Sequence, residues 1–389
     1  MTLVAMVTLP SPVTLPSPAL GQTDGDGASE NPGREAVQQP SDGEALAVED
    51  DFFDRLTFSG LVAGTYQFQQ VSGANEDGGS LTFRPSLDFA ATEFDHLHLG
   101  FAFAWGNAVN DVTAFQLAPW GADVEGDLRN INGSGRDHLL TAWYRHTFEF
   151  APDHHLALTG GLVDSTEYLD VNAYANDEFT QFMSGGLVNA SNGFFPSYDL
   201  GVVVEWSWGG WHATGVVMWL SENIDGDPFV FAGGQVGYTV ETSIGEGNYR
   251  LVVSSSSEDF FDPAGAARER LLSTFLSFDQ QFGDVLGGWL RIGIEDGDAA
   301  VVYDTLYSGG IDINGGLWGR IQDNVGIGYA YIGGGNLDVA SSEVFETYVR
   351  FGLTESLAVT LDAQHIRDAY RDREPIDGWV FGARCVFEF

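Results

Sequence analysis

The sequence predicts an all-β fold, a 16-stranded antiparallel transmembrane β-barrel with short periplasmic turns, long outer loops and one inward-folded constriction loop. The first observation is composition: glycine supplies 50 residues and the aromatic residues 13% of the chain. Helical periodicity is hard to find, so we expect many strands with glycine-rich connections. No apolar run reaches the roughly 18 residues of a transmembrane helix. In a membrane the chain must therefore close into a barrel, which satisfies every backbone group.

The second observation is the alternation in the last strand, residues 377–389. Apolar side chains take every second position and end on the terminal residue: Trp379, Phe381, Ala383, Cys385, Phe387 and Phe389. A closing barrel strand turns such a face towards lipid and its polar face towards the lumen. A soluble edge strand would seldom place four aromatic side chains on one exposed face. We therefore expect Phe389 on the outer face of the barrel.

The third observation is the count of connections. Seven tight turns are predicted at 92–96, 151–155, 209–210, 244–247, 283–285, 321–324 and 354–356. Eight long loops are predicted at 71–79, 108–136, 165–197, 221–229, 259–270, 296–305, 334–341 and 368–377. Turns and loops that alternate in this way delimit 16 strands, the even number that outer-membrane barrels require. A barrel of about this size encloses an aqueous channel.

The chain divides into three parts. Residues 1–21 are uncharged, contain four prolines and have no basic start, which predicts a weak or truncated signal peptide. Residues 22–55 are polar and acidic and predict a disordered leader. Residues 56–389 form the predicted barrel domain, in which tryptophans cluster at strand ends as interfacial girdles do.

Charge and motif content exclude several classes of function. Asp and Glu number 56 against 16 arginines and no lysine, so a nucleic-acid partner is excluded. A salt-adapted host and a cation-attracting pore both remain open as causes of this acidity. Cys385 is the only cysteine, so no internal disulfide is possible. No metal-ligand spacing or catalytic arrangement rises above chance, and we expect neither a cofactor nor an enzyme.

The candidate site lies on the longest loop, 165–197, and on the strands facing it. The loop and the residue before it carry acids and amides with no basic residue: Asp164, Glu167, Asp170, Asn172, Asn176, Asp177, Glu178 and Gln181. Folded into the lumen, they would narrow the pore and present oxygens and amides to a hydrated solute. Arg84, Arg145 and Arg350 lie on the polar phase of their strands and would face them as directional donors. The alternatives are a solvated outer loop and arginines that only neutralise nearby acids.

Residues 160–206 also carry a resemblance to a known family. A strand ending in Asp164 is followed by Asp-Val-Asn-Ala-Tyr-Ala-Asn-Asp-Glu at 170–178, Gln181-Phe182, Pro196, Tyr198 and Leu200-Gly201. This pattern resembles the carbohydrate-selective, OprB-like porin family. The resemblance implies a porin in the outer membrane of a Gram-negative-type bacterium that passes small sugars by passive diffusion.

Sugars and cations are the expected solutes and outer-membrane lipid the expected surroundings, while association into a homo-trimer stays open. One alternative is a general or cation-preferring porin without sugar selectivity. From other classes, a barrel enzyme and a structural or adhesion barrel remain as alternatives.

Overall fold

A computed structural model describes residues 51–71, 73–122 and 125–389. The predicted signal peptide, and the leader as far as residue 50, lie outside the described residues. The described chain begins with a single helical turn, Asp51–Asp54, and the Phe52 ring packs on Phe89 with centroids 5.1 Å apart. No helix in the described ranges is long and apolar enough to cross a membrane.

Sixteen strands follow, named here in chain order. They are β1 (Leu56–Val71), β2 (Ala74–Ala90), β3 (Asp95–Phe101 and Phe103–Trp105, interrupted at Ala102), β4 (Leu139–Ala151), β5 (His154–Val163), β6 (Asp199–Trp208), β7 (Trp211–Leu220), β8 (Phe229–Thr242), β9 (Gly245–Ser256), β10 (Leu272–Phe282), β11 (Leu286–Glu295), β12 (Tyr303–Asn314), β13 (Asn324–Gly334), β14 (Val339–Gly352), β15 (Leu357–Tyr370) and β16 (Ile376–Glu388). Each pairs antiparallel with its neighbours in sequence.

The sheet closes because β1 pairs with both β2 and β16. At the seam Gly60 and Phe389 exchange two backbone hydrogen bonds of 3.0 Å each. The Phe389 ring is exposed and stacks on Phe83 with centroids 6.1 Å apart. The predicted 16-stranded antiparallel barrel and the outward-facing Phe389 are therefore both confirmed. A closed sheet leaves no edge strand to pair with another chain.

Most connections match the prediction that short turns lie at one end of the barrel, the turn side, and long loops at the other end, the loop side. The β6–β7 turn consists of Gly209 and Gly210 with φ of 55° and 86°, the positive values that a two-residue hairpin needs. The predicted tight turn at 321–324 is longer, because a 3-10 turn at Gly315–Trp318 precedes it. On the loop side, residues 257–271 contain a small two-stranded ribbon, Phe260–Phe261 with Arg268–Glu269.

The predicted long loop at 71–79 is wrong. Val71 pairs with Ala74, so β1 and β2 are joined by residues 72–73 alone. The acidic and glycine-rich stretch after Ala74 is strand, and Tyr66 donates to Asp77 across the pair at 3.0 Å. Its polarity is typical of a loop, because its outward positions include Asp77 and Gly79. The exposed rings opposite them belong to Phe68 and Tyr66 on β1.

The outer and inner faces of the barrel wall differ as the alternation predicts, but the inner face also carries apolar side chains. On β16, Trp379, Phe381 and Phe387 are exposed and Arg384 is buried inside. Val380 and Val386 also face inward and are fully buried. Apolar side chains can lie on the inner face because two long loops fold into the barrel and pack against them. The lumen therefore has a hydrophobic core of its own.

Candidate functional site

The inward loop, residues 164–198, begins and ends at one point of the wall. Asp164 accepts hydrogen bonds from the Thr166 backbone N–H at 3.0 Å, the Thr166 hydroxyl at 2.7 Å and the Ser197 hydroxyl at 2.8 Å. It thereby caps the 3-10 turn Ser165–Glu167. The Ser165 hydroxyl donates to Pro196 O at 2.7 Å. These bonds hold the two ends of the loop together, and most residues between them are buried inside the barrel.

Arg291 on β11 anchors the middle of this loop. Its side chain is fully buried, and Nε donates to Asp170 at 2.9 Å. Its other N–H groups donate to three backbone carbonyls of the loop, those of Ala175, Leu187 and Val188. Asp170 has φ of 59° and accepts a further bond from Ala190 N–H at 2.9 Å. One wall arginine thus holds four points of the loop.

Other strands hold the remaining parts of the loop. Glu346 on β14 accepts from the backbone N–H groups of Met183 and Ser184 at 2.5 and 2.9 Å. Arg384 on β16 donates to the carbonyls of Glu178 and Gln181. Sequence analysis missed the role of Glu346. Its only signal there is its place on the inner phase of β14, between the outward Phe345 and a partly buried Thr347.

The predicted amide residues lie inside the loop and bond to its backbone or to the wall. Asn172 donates to Phe278 O at 3.2 Å, and Asn176 accepts from Asn189 Nδ2 at 2.8 Å. Gln181 accepts from the Asn176 backbone N–H at 2.6 Å and donates to Ala173 O at 2.9 Å.

Asp177 likewise accepts from Phe179 N–H at 2.8 Å and from the Thr180 hydroxyl at 2.6 Å. With Asp170 bound to Arg291, five of the predicted loop residues maintain the shape of the loop through these bonds. Their contact with a solute stays a prediction.

The remaining acids form a central cluster, defined here as Asp164, Glu167, Glu178, Arg84 and Tyr198. Asp164 and Glu178 are fully buried, Glu167 is partly exposed, and Arg84 from β2 is 9% exposed. Both carboxylate oxygens of Glu178 have no hydrogen-bond partner among the described residues, and neither do Asp164 Oδ2 and Arg84 Nη1. Within the described ranges no group of acids, histidines or cysteines has metal-binding geometry. Unsatisfied charged groups of this kind are expected to bond to water or to a solute.

Burial changes the acidity of this cluster. It raises the pKa of Asp164 to about 6, against the lowering effects of the bonds from Thr166 and Ser197 and of the Arg84 charge. Burial, and next the charge of Asp164, raise the pKa of Glu167 to about 8. Burial also holds the pKa of Glu178 well above its usual value, with the charge of Asp177 as the second cause. Desolvation disfavours the charged form of each carboxyl group, so all three keep a proton to higher pH than a free carboxyl group does.

The three predicted wall arginines lie in different surroundings. Arg84 joins the central cluster, with its guanidinium 5.9 Å from the centre of the Phe179 ring. Arg145 pairs with Glu205 on β6 at 2.5 Å, and Arg350 lies 3.8 Å from Glu388 and donates to Gln322 O at 3.3 Å. The pairs Arg145–Glu205 and Arg350–Glu388 lie nearer the turn side of the barrel. The structure thus brings only one of the three arginines together with the loop acids.

A second loop, described at 106–122 and 125–138, packs beside the first. Gln67 on β1 and Gln364 on β15 both donate to Pro119 O at 2.9 Å. Trp120 is fully buried and packs edge-on against Phe179, with ring centroids 5.8 Å apart. This tryptophan packs the second loop against the first and leaves no free ring face for a sugar.

Sixteen antiparallel strands closed around inward-folded loops are the porin fold. No protein-family model matches the chain. An uncharacterized protein of Aquifex aeolicus (strain VF5) is 28% identical over 333 residues, which cover 83% of this chain and 92% of that protein.

Among solved structures, Pseudomonas putida OprB at high pH superposes with a TM-score of 0.69 at 14% identity, covering 87% of this chain and 95% of that one. Pseudomonas aeruginosa OccK2 in complex with glucuronate gives 0.52 at 12% identity, covering 87% and 99%. A triple mutant of the Rhodopseudomonas blastica porin gives 0.50 at 12% identity, covering 86% and 100%. Porins are channels rather than enzymes, and at these identities the likeness is one of fold.

Proposed function

We propose that this protein is an outer-membrane porin of a Gram-negative-type bacterium that passes small hydrophilic solutes by passive diffusion, with carbohydrates as the favoured class. The observation that carries the proposal is the inward loop, which is held to the inner wall of a closed barrel by Arg291, Glu346 and Arg384. A loop fixed in this way narrows the lumen without moving, so it selects solutes by size and by hydrogen bonding.

The central cluster is the proposed point of contact with the solute. Arg84 offers fixed N–H donors, while Asp164, Glu167 and Glu178 offer acceptors when ionised and donors when protonated. A sugar hydroxyl can bond with both kinds of group, so a neutral polyol could replace part of its lost hydration there. Glu167, which keeps some exposure, and the incompletely bonded Arg84 side chain support this role. The contacts must stay weak, because a bound solute has to leave again.

A cation-preferring pore without sugar selectivity is the second candidate. The chain carries a formal net charge of −40, and three of the acids lie in the central cluster beside a single cluster arginine. Carboxylates beside a confined column of water concentrate cations. This candidate predicts a cation-selective reversal potential together with an ion current that sugars do not reduce. A structural or adhesion barrel would give no conductance at all.

The test is the ion current of the purified protein in a planar bilayer, titrated with glucose. We expect discrete conductance steps and a current that falls as glucose enters. Arg84→Ala should weaken the block by about tenfold, since a hydrogen bond to a charged group contributes about 1.5–3 kcal/mol. Arg145→Ala should have a smaller effect, because Arg145 is paired with Glu205. Arg373→Ala, at an exposed arginine of the loop side, is the matched control. A glucose block that Arg84→Ala leaves unchanged would refute the sugar site.

A further inference from the structure

A cavity of about 480 Å³ lies on the loop side, and Tyr198 of the central cluster forms part of its lining. It is bounded by the inward loop, by the second loop and by the loop-side ends of β7, β8 and β10–β12. Its lining is mainly apolar, with Leu220 and Phe229 at strand ends, Phe260 on the outer ribbon, Val301 just before β12 and Phe194 on the inward loop. The Phe194 ring lies 5.5 Å from the Phe229 ring and 5.6 Å from the Phe260 ring, centre to centre. This aromatic group therefore forms part of the cavity lining.

The smaller, polar part of the lining contains amides and hydroxyls as well as charged groups. Asn189 is 7% exposed, and its Oδ1 has no partner among the described residues, while its Nδ2 donates to Asn176 at 2.8 Å. Glu222 and Glu295 also line the cavity, against a single arginine, Arg129. An unpartnered buried acceptor calls for a donor from the occupant. The excess of carboxylates disfavours an anion.

We propose that this cavity binds neutral glycosides that carry an aromatic aglycone. The aglycone would lie against Phe194 and Phe260, where aromatic pairs gain from edge-to-face contact. A sugar hydroxyl would donate to Asn189 Oδ1. A free sugar would lose hydration against the apolar lining without replacing it, so it binds more weakly here. This inference adds a further solute class to the proposed function. Its relevance to transport rests on that proposed function, whereas glycoside binding can be measured without an ion current.

The probe is phenyl β-glucoside, and the assay is isothermal titration of the protein in lipid nanodiscs, since alkyl glycoside detergents resemble the ligand. We expect phenyl β-glucoside to bind about tenfold more tightly than glucose, a difference of about 1.4 kcal/mol. Phe194→Ala should remove this difference and Phe194→Leu, which keeps an apolar side chain, should keep part of it. Phe381→Ala, at an exposed aromatic on the outer face of β16, is the control and should bind as the wild type does.

Three outcomes would overturn the inference: equal affinity for glucose and phenyl β-glucoside, binding that a folded Phe194→Ala protein retains in full, or binding of benzyl alcohol as tight as that of the glycoside. The last would mean that the sugar is not recognised. Bilayer conductance separates the two proposals. Conductance without glycoside binding rejects this inference alone, whereas glycoside binding without conductance rejects the channel and leaves the cavity assignment standing.

Discussion

Two buried arginines, Arg291 and Arg384, connect the inward loop to the barrel wall. Both are almost completely buried, yet their main partners are backbone carbonyls, and only Arg291 has a close carboxylate, Asp170. Carbonyl acceptors suit arginine because its planar fork carries five donors and stays charged. A lysine could satisfy fewer of these acceptors. The two residues therefore determine where the loop lies and do not face solute.

Arg291→Met should release the inward loop. The variant leaves Asp170 buried without its cation and three loop carbonyls without a donor. Breaking a buried ion pair in this way lowers the free energy of unfolding by about 3–5 kcal/mol. We expect a lower thermal unfolding temperature and a higher, noisier single-channel conductance. Arg367→Met, at an exposed arginine of β15, should change neither measurement. If Arg291→Met matched the wild type in both, the anchoring role would be wrong.

The acids of the central cluster should make selectivity depend on pH. The pKa values of Asp164 and Glu167 rise to about 6 and about 8 from ordinary values of 3.8 and 4.5. A carboxyl whose pKa is raised on folding binds more protons when folded, so its contribution to stability is present at low pH and is lost as pH rises from about 4 to about 8. Over the same window the lumen gains negative charge.

We therefore expect the reversal potential in a KCl gradient to become more cation-selective as pH rises from 5 to 9. Glu167→Gln should flatten the upper part of this curve, above about pH 6. Glu241→Gln, at an exposed acid near the turn side, should leave the curve as it is. A wild-type curve that does not change between pH 5 and 9 would contradict the raised pKa values.

The inward loop is the element that distinguishes this barrel from an open cylinder. It bonds to β8, β10, β11, β14 and β16 through Gln235, Asn172, Arg291, Glu346 and Arg384. Its apolar side chains pack on the inner wall, and Phe182 contacts both Trp289 and Tyr348, with ring centroids 5.7 and 5.1 Å away. Such packing makes the loop part of the rigid body and not a mobile lid.

Deleting residues 168–184 should raise single-channel conductance. The deletion removes the segment that crosses the lumen and leaves the paired ends of the loop at Asp164 and Ser197. A matched deletion of residues 262–267, an exposed turn in the outer ribbon, should leave conductance near that of the wild type. Both variants need a β-sheet circular dichroism spectrum first. Unchanged conductance in a folded 168–184 deletion would reject the constriction.

At the scale of the whole molecule, negative charges on the outer surface and negative charges inside the lumen have different effects on cation preference. Exposed charges are screened beyond about 10 Å at 0.1 M salt and about 3 Å at 1 M. Buried acids of the central cluster are screened far less. We expect cation preference to persist in 1 M KCl at neutral pH, because Asp164, with a pKa of about 6, is ionised inside the barrel. A preference that disappears between 0.1 and 1 M would assign it to the outer surface and favour adaptation to salt as the cause of the acidity.

The barrel could be predicted from sequence because its rules are local. Alternation along a strand has a period of two, and tight turns have their own residue preferences. Residues 377–389 therefore show the outer face of β16, and Gly209-Gly210 shows a hairpin. The error at 71–79 has a physical cause of the same kind. Asp77 and Gly79 point outward beside the exposed rings of Phe68 and Tyr66 on the paired strand, so the local composition is that of a loop although the residues form a strand.

The contents of the barrel could not be predicted in this way. Asp170 and Arg291 are 121 positions apart, and Ser184 and Glu346 are 162 apart, so no local pattern connects them. The length and acidity of the inward loop predicted a candidate site there, and they selected Asp164, Glu167 and Glu178 together with residues that bond to the loop itself. Only the folded chain decides which of these acids keep free oxygens. Closure of the sheet brings distant strands around one lumen, and burial there determines which charges find a partner.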